Sequence, residues 1–307
     1  MSNDAGDRVF AVLVNWCNDG DTLRAVESLL AQSLLPEVVV VDNASPNGSE
    51  ARLREALAGR ATVLQSGANL GWAGGCNVAI RYALALGARY VWLFNNDATA
   101  HPTALAALVD VAERHPDAAA CGSLIYEQDR PEVVWFAGGA VSLWRGVTWH
   151  IGRGQTDRGQ FGGPPRPVAF LTGCSLLVRR AAFERVGLLP EKYFLYFEDV
   201  DWCLQARRRG YRLLFVPEAR VWHREGSSAR GADGLSPTHA YYDARNNLYF
   251  IDRWCSPLQR ITARANFAVR VGGKVLLWSL LRRPQRALIA PLIAGVHDFR
   301  ARKGERP

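Results

Sequence analysis

Short apolar runs alternate with stretches of helical periodicity through the first third of the chain. Val9 to Asn15 (VFAVLVN) has strand length, polar CNDGD follows, and Leu23, Val26, Leu29 and Leu30 then recur at the spacing of one helix face. Glu37 to Val41 (EVVVV) is continuously apolar, which predicts a parallel strand covered on both faces, and it runs into Asp42-Asn43. The unit repeats with a helix near Ser49 to Ala58, a short strand at Ala61 to Gln65, a glycine-rich loop, and a helix from about Cys76 to Leu86. Tyr90 to Phe94 is the next apolar strand; it leads into Asn95-Asn96-Asp97 and a helix from about Pro102 to Glu113. This alternation predicts an α/β fold built on a doubly wound, mostly parallel sheet. Ligands of such sheets bind beyond the carboxyl ends of the strands, where Asn15, Asp42-Asn43 and Asn95-Asn96-Asp97 stand.

From Pro131 to Pro167 Gly, Pro, Trp and Arg mix without a sustained period, which predicts an irregular insertion or β-hairpins. Regular patterning resumes at Val168 to Val178, followed by a helix from Arg180, the segment YFLYFEDVDWCLQARRRG and a strand at Arg212 to Val216. A polar loop, REGSSARGADGLSP, separates this α/β region from a largely helical tail, so the expected division is 1–225 and 226–307. In the tail, Phe267 to Leu281 mixes aliphatics with Arg270 and Lys274, Arg282-Arg283 follow, and Ala287 to Val296 is apolar but broken by Pro291. No stretch reaches the roughly 20 apolar residues of a membrane-spanning helix.

Hydrophobic residues make up 49% and charged residues 21%, so a packed core is expected rather than disorder. The formal charge of +8 comes almost wholly from arginine and favours polyanions. No zinc-finger, basic-zipper or RNP-type pattern accompanies it, which sets nucleic acid behind anionic lipid headgroups and phosphorylated small molecules. The six cysteines are scattered and never form a CxxC pair, and MSNDAGDR lacks an apolar leader; both predict a reducing, cytoplasmic setting.

Four features carry candidate chemistry. Asp97, in FNND, is placed to bind a hard divalent cation through oxygen or to cap the next helix. Glu198, Asp199 and Asp201 lie among Tyr196, Phe197 and Trp202; apolar surroundings raise carboxyl pKa toward general-base values, while three acids opening a helix also suit its dipole. His223 follows a late strand and either packs there or completes a site with Asp97. The loop NLGWAGGCN sets Gly71, Gly74 and Gly75 before a helix, as a phosphate cradle or a tight turn, without the GxGxxG spacing of a dinucleotide fingerprint.

Taken in order, VLVNWCNDGDTLRAVESLLAQS, VVVVDNASPNGS, NLGWAGGCN, YVWLFNNDA, TGCSLLVRR, FEDVDWCLQARRRGYRLLFVPEARVWH and YYDARNN resemble the GT-A fold glycosyltransferases of family 2, in particular the bacterial rhamnosyltransferase-like branch. The resemblance implies that Asn15, Asp42 and Asn43 hold the nucleoside, with Asp42 near the base, and that Asn69, Gly71, Gly74 and Asn77 line the donor pocket together with Asn95 and Asn96. It implies that Asp97, assisted by His223, binds Mg2+ or Mn2+. Asp199 becomes the general base, Glu198 and Asp201 orient it or the acceptor, and Arg245 faces phosphate or acceptor. One departure is that neutral Asn95 holds the first acidic position of the family's DxD motif, so more of the cation's ligands fall to the diphosphate.

The activity so implied is inverting transfer of a sugar, with dTDP-rhamnose the leading donor and another UDP- or GDP-sugar the alternative. The acceptor would be a glycan or lipid-linked hydroxyl in cell-surface polysaccharide synthesis, at the inner face of the cell membrane. A sugar nucleotidyltransferase also uses such a sheet but needs a glycine-rich basic loop after its first strand, and CNDGD is neither. For the basic tail two readings stay open: an acceptor-side or anionic-membrane surface, or an amphipathic helix packed on the catalytic domain or in a homodimer contact.

Overall fold

The apolar runs of the N-terminal half enter one sheet in the computed structural model, which describes residues 8–224, 236–280 and 283–301. The polar start of the chain, nearly all of the REGSSARGADGLSP loop, the expected 225/226 boundary and Arg282 lie outside the described residues. β1 (Val9–Asn15), β2 (Glu37–Asp42), β3 (Thr62–Gln65) and β4 (Tyr90–Phe94) are parallel in the order β3-β2-β1-β4. β1, β4 and all but the first residue of β2 are buried, as continuous Val and Leu runs require. The crossovers are α1 (Asp19–Leu30), α2 (Ser49–Ala56) and α3 (Gly71–Ala85). Asn18 caps α1 by accepting from the Asp21 amide.

α3 starts at Gly71, five residues ahead of the expected Cys76, so the predicted glycine loop is the helix's opening turns. A Cβ on Gly75 would stand 2.8 Å from Cγ1 of Val14, and its absence lets α3 lie directly on β1.

Hydrophobic periodicity misses β5 (Ala98–Ala100) and β6 (Ala118–Glu127), which are rich in alanine and flank α4 (Ala104–Arg114). The irregular region contains β7 (Val134–Phe136), the hairpin of β8 (Gly139–Ser142) with β9 (Val147–His150), and β10 (Arg166–Pro167). β11 (Ser175–Arg179) is antiparallel between β4 and β6. After α5 (Arg180–Val186) and α6 (Glu198–Arg208), β12 (Arg212–His223) pairs parallel with β6 and continues past the expected end at Val216 through an irregularity between Val216 and Arg220. The result is a ten-stranded mixed sheet, β10-β12-β6-β11-β4-β1-β2-β3, with β5 on β12 and β7 on β6; its longer ladders are parallel.

The chain divides into two units, one of Met1–Ala140, His150–Phe194 and Glu198–Ser228, the other of Val141–Trp149, Leu195–Phe197 and Ala229–Pro307. The second holds α7 (Pro237–Trp254), α8 (Pro257–Leu280), α9 (Arg283–Arg286) and α10 (Ile289–Ala301). Pro291 does not break α10, because it sits in the first turn, where no intrahelical amide donor is needed. Within this unit Asn247 donates to the Gly146 carbonyl (2.8 Å) and Asn246 to the carbonyls of Leu195 (2.7 Å) and Tyr196 (3.0 Å), which binds the short outlying segments to α7.

Two helical glycines separate helix propensity from packing. A Cβ on Gly273 would have no atom within 4 Å, whereas a Cβ on Gly295 would meet the Tyr241 carbonyl oxygen at 2.3 Å. Gly273→Ala is expected to stabilise by about 0.5–1 kcal/mol and Gly295→Ala to destabilise by about 1–3 kcal/mol, read from denaturant midpoints.

Candidate active site

The register of the sheet builds one end of the site. Asn15 and Asp42 are paired last residues of β1 and β2, both fully buried, and Nδ2 of Asn15 donates to Oδ2 of Asp42 (2.7 Å). Asp42 also accepts from the Ser45 amide (2.9 Å) and the Ser49 hydroxyl (3.2 Å), so its carboxylate is spent on shaping the loop after β2. Asn43 performs the same task one residue on: its Nδ2 donates to Asn69 Oδ1 and to the Gly71 carbonyl (both 3.0 Å), and its Oδ1 accepts from the Leu70 amide (3.1 Å). Gly71 takes φ of 71°, and a Cβ there would lie 2.3 Å from the Phe194 carbonyl oxygen. Gly74 sits against Leu70, where a Cβ would be 2.6 Å from the Leu70 Cβ. Asn77 bonds elsewhere, to the Leu189 amide (3.0 Å) and carbonyl (2.8 Å) and to Glu191 (2.8 Å), so it braces the approach to α6.

The end of β4 forms the second part. Thr22 on α1 donates to Asn15 Oδ1 (2.9 Å) and accepts from Asn96 Nδ2 (3.0 Å), linking the β1–β2 cluster to the NND segment. β12 pairs His223 with Ala98, which sets the imidazole beside Asp97: Nε2 lies 3.0 Å from Asp97 Oδ1 and 3.3 Å from Asn95 Nδ2. A single ring nitrogen cannot donate to the carboxylate and accept from the amide at once. His223 Nδ1 is buried without a hydrogen-bond partner, and the ring packs edge-on to Trp135 with centroids 4.6 Å apart. Both groups fit a shared cation, since neighbouring ligands of an octahedral ion with bonds of about 2.1 Å are about 3 Å apart. Among the described residues no cluster of three or more His, Cys, Asp or Glu is assembled for a metal.

The third part is the acid cluster opening α6. Asp199 Oδ2 accepts from the Gly173 amide (2.9 Å) and Oδ1 from the Val200 amide (2.7 Å), while the residue stays partly open to solvent. Burial raises its pKa, and these amide donors with the Thr172 hydroxyl hold the rise back. Glu198 turns inward: burial lifts its carboxyl well above the usual carboxylate range, the Asp199 charge lifts it further, and Oε2 is buried without a hydrogen-bond partner. Asp201 is fully buried and accepts from the Tyr193 hydroxyl (2.5 Å) and Gln205 Nε2 (3.0 Å), which ties the start of α6 to the turn before it.

Asp97 and Asp199 stand at the same end of the sheet. The Asn95 amide donates to the Cys174 carbonyl (3.1 Å), and the adjoining Gly173 amide holds Asp199, so a single peptide step separates the two attachments.

Residues 13–187 match the family described as Glycosyl transferase family 2. The chain belongs to that family. It is 32% identical over 280 residues to the "N-acetylglucosaminyl-diphospho-decaprenol L-rhamnosyltransferase" of Mycobacterium tuberculosis, covering 85% of this chain and 89% of that protein. Over 257 residues it is 24% identical to the "dTDP-rhamnosyl transferase RfbF" of Shigella flexneri, covering 81% and 82%. Its fold is similar to that of the mannosyltransferase PcManGT from Pyrobaculum calidifontis, solved with GDP-Man and Mn2+, with a TM-score of 0.59 and 17% identity over 97% of this chain and 89% of that one. The protein is therefore a glycosyltransferase of GT-A fold.

Three residues of this glycosyltransferase site carry no role in the sequence reading. Thr22 lies in the opening turn of α1 and has no local signature. Gly173 stands in the TGCS stretch, and a Cβ there would be 2.1 Å from Cη2 of Trp72; the glycine admits the indole and supplies the amide for Asp199. Trp72, half-buried, thereby lies close to the loop that holds Asp199. Arg245 belongs to the second unit, where its guanidinium is buried among Tyr241, Tyr242 and Tyr249, closest to Tyr242 at 4.7 Å, and bonded to Asn246.

The buried acid sets a pH dependence. Glu198 is protonated in the folded protein over a range where the unfolded chain has ionised, so the folded state binds more protons there and stability falls as pH rises above the ordinary glutamate value of 4.5. Glu198→Gln is expected to flatten this decline, giving a thermal midpoint that drops less than that of the wild type between about pH 5 and 8. Parallel curves for the two proteins would remove Glu198 as its source.

Proposed function

We propose that the protein transfers L-rhamnose from dTDP-rhamnose to a hydroxyl group of a lipid-linked glycan, inverting the anomeric carbon. The observation that carries this reading is the Asp199 carboxylate, raised in pKa and oriented by the Gly173 amide, at the sheet end that also holds Asp97 and His223. The two rhamnosyltransferase relatives supply the sugar, and the substrate in the M. tuberculosis protein's name supplies the acceptor class. The same reading takes residues 1–225 as the donor-binding catalytic domain and 226–307 as an acceptor-side or membrane-facing extension.

In the reaction, Asp199 accepts the acceptor's hydroxyl proton as that oxygen forms its bond to C1 and the bond from C1 to the diphosphate oxygen breaks. Asp97 and His223 would hold a divalent cation, Mg2+ or Mn2+, beside neutral Asn95, which would add no charge to that site. When bound there, that ion offsets negative charge on the departing diphosphate. Asn15, Asp42, Asn43 and Asn69 act mainly by fixing the loops whose backbone meets the nucleoside. Glu198, whose carboxyl is pushed toward its neutral form by burial and by Asp199, limits the negative charge beside Asp199, and Asp201 holds the turn through Tyr193.

Incubation with dTDP-rhamnose and a short-chain polyprenyl-diphosphate N-acetylglucosamine is expected to release dTDP and add one deoxyhexose mass to the acceptor. Release of pyrophosphate instead would point to nucleotidyl transfer, and turnover only with a UDP- or GDP-sugar would retain the enzyme class and replace the donor. Asp199→Asn should lower kcat by about 10²–10⁴-fold while dTDP-rhamnose binding by calorimetry stays near wild type. In Asp97→Ala, the Mn2+-dependent part of the thermal shift produced by dTDP should disappear; persistence of that shift would place the ion elsewhere.

A further inference from the structure

The exposed aliphatic residues of the second unit are not scattered. On α8, Leu258, Ile261, Ala265, Val269, Leu276 and Leu280 are all exposed, and at 100° per residue they fall on one side of a helix of 24 residues. No charged residue interrupts that stripe; Arg264, Arg270 and Lys274 lie off it, with Arg264 paired to Asp252 and Lys274 to Asp243. A mostly apolar face about 33 Å long, with Thr262 and Ser279 at its edges, exceeds what a soluble monomer ordinarily leaves in water.

Charge is segregated to the same part of the chain. Residues 229–307 contain fourteen Lys and Arg against five Asp and Glu, which is more than the whole protein's excess of +8. A second copy docking stripe to stripe would oppose two units of the same positive charge, whereas anionic headgroups would neutralise it. Ala268 and Gly272, at the edge of the stripe, also line a groove of about 540 Å³ walled by Leu248, Phe267, Val271 and Phe299, with Arg264 and Arg300 in its lining. A groove of mostly apolar walls with two guanidinium groups, beside an apolar face, suits a hydrocarbon chain that carries an anionic headgroup. Among the described residues no helix is long and apolar enough to cross a membrane, so the geometry is that of a helix lying in the surface plane.

We infer that the exposed face of α8 lies in the headgroup and acyl boundary of an anionic phospholipid bilayer, with its axis parallel to the surface. This deepens the lipid-linked acceptor reading and takes its purpose from it, but the binding itself needs neither donor nor acceptor. Attraction to anionic lipid and burial of the stripe both contribute, so binding weakens with salt and with loss of the aliphatic side chains.

The test is flotation of the full chain with phosphatidylglycerol–phosphatidylcholine vesicles that contain no glycolipid, alongside the triple variant Ile261→Glu, Val269→Glu, Leu276→Glu. These side chains are 68%, 74% and 63% exposed, so the fold is expected to survive, with circular dichroism and the thermal midpoint as controls. Wild type should float with anionic vesicles, less so at about 0.5 M salt, and the variant should partition at least about tenfold more weakly. Equal flotation of the two proteins, or none by wild type, overturns the proposal. A wild-type dimer in sedimentation that the variant dissolves, with no vesicle binding, gives the face to a second copy instead. Rhamnosyl transfer to a water-soluble acceptor analogue is measured on the same samples, so failure of the sugar assignment is read separately from failure of the membrane face.

Discussion

The end of the sheet where Asp97 and Asp199 stand depends on the short stretch Gly173-Cys174. Its two peptide groups face different partners: the Cys174 carbonyl accepts from Asn95 at the end of β4, and the Gly173 amide donates to Asp199 at the start of α6. Antiparallel insertion of β11 between β4 and β6 brings that stretch to the carboxyl end of a parallel strand. Without the reversal, the loop before β11 would emerge at the opposite end of the sheet, and acids about a hundred positions apart would have no common frame. A side chain at position 173 is excluded by the Trp72 indole, so the amide, the ring and the carboxylate are set by one glycine.

Around this frame the polar groups divide into those consumed by the fold and those left for chemistry. Asp42, Asn43, Asn77 and Asp201 have their hydrogen-bonding atoms taken by neighbouring loops and turns, which rigidifies the strand ends without leaving buried polarity unpaired. Glu198 Oε2 and His223 Nδ1 are exceptions, buried without hydrogen-bond partners in positions next to Asp199 and Asp97. Backbone strain has the same distribution. Cys17 and Ala44 follow β1 and β2 with positive φ, and Phe194, Tyr196 and Phe197 do so immediately ahead of the acid cluster. Non-glycine residues reach this region at a cost, and its concentration at loops bearing polar clusters is the pattern of functional sites.

Much of this is legible in the chain alone. Val9–Asn15, Glu37–Val41 and Tyr90–Phe94 announce buried parallel strands because helices on both faces leave no room for polar side chains. FNND and YFEDVDW stand out because acids at strand ends or among aromatics are unusual unless paired or used. β5 and β6 are silent by the same logic, since their alanine-rich segments fit helix and strand patterns equally. The role of Asn77 is hidden as well: a motif marks an asparagine as special without saying whether its amide meets a ligand or a loop backbone more than a hundred residues away.

The sequence by itself determined the family, the strand–helix alternation, and which residue types would gather at the strand ends, because periodicity and ordered motifs are local properties of the chain. Tertiary structure alone decided that β11 runs backwards, that His223 stands opposite Ala98 and so beside Asp97, and that Glu198 turns inward while Asp199 remains reachable from solvent. Those outcomes come from register and packing between distant segments. They are settled by hydrogen bonds and excluded volume that exist only after the chain has closed on itself.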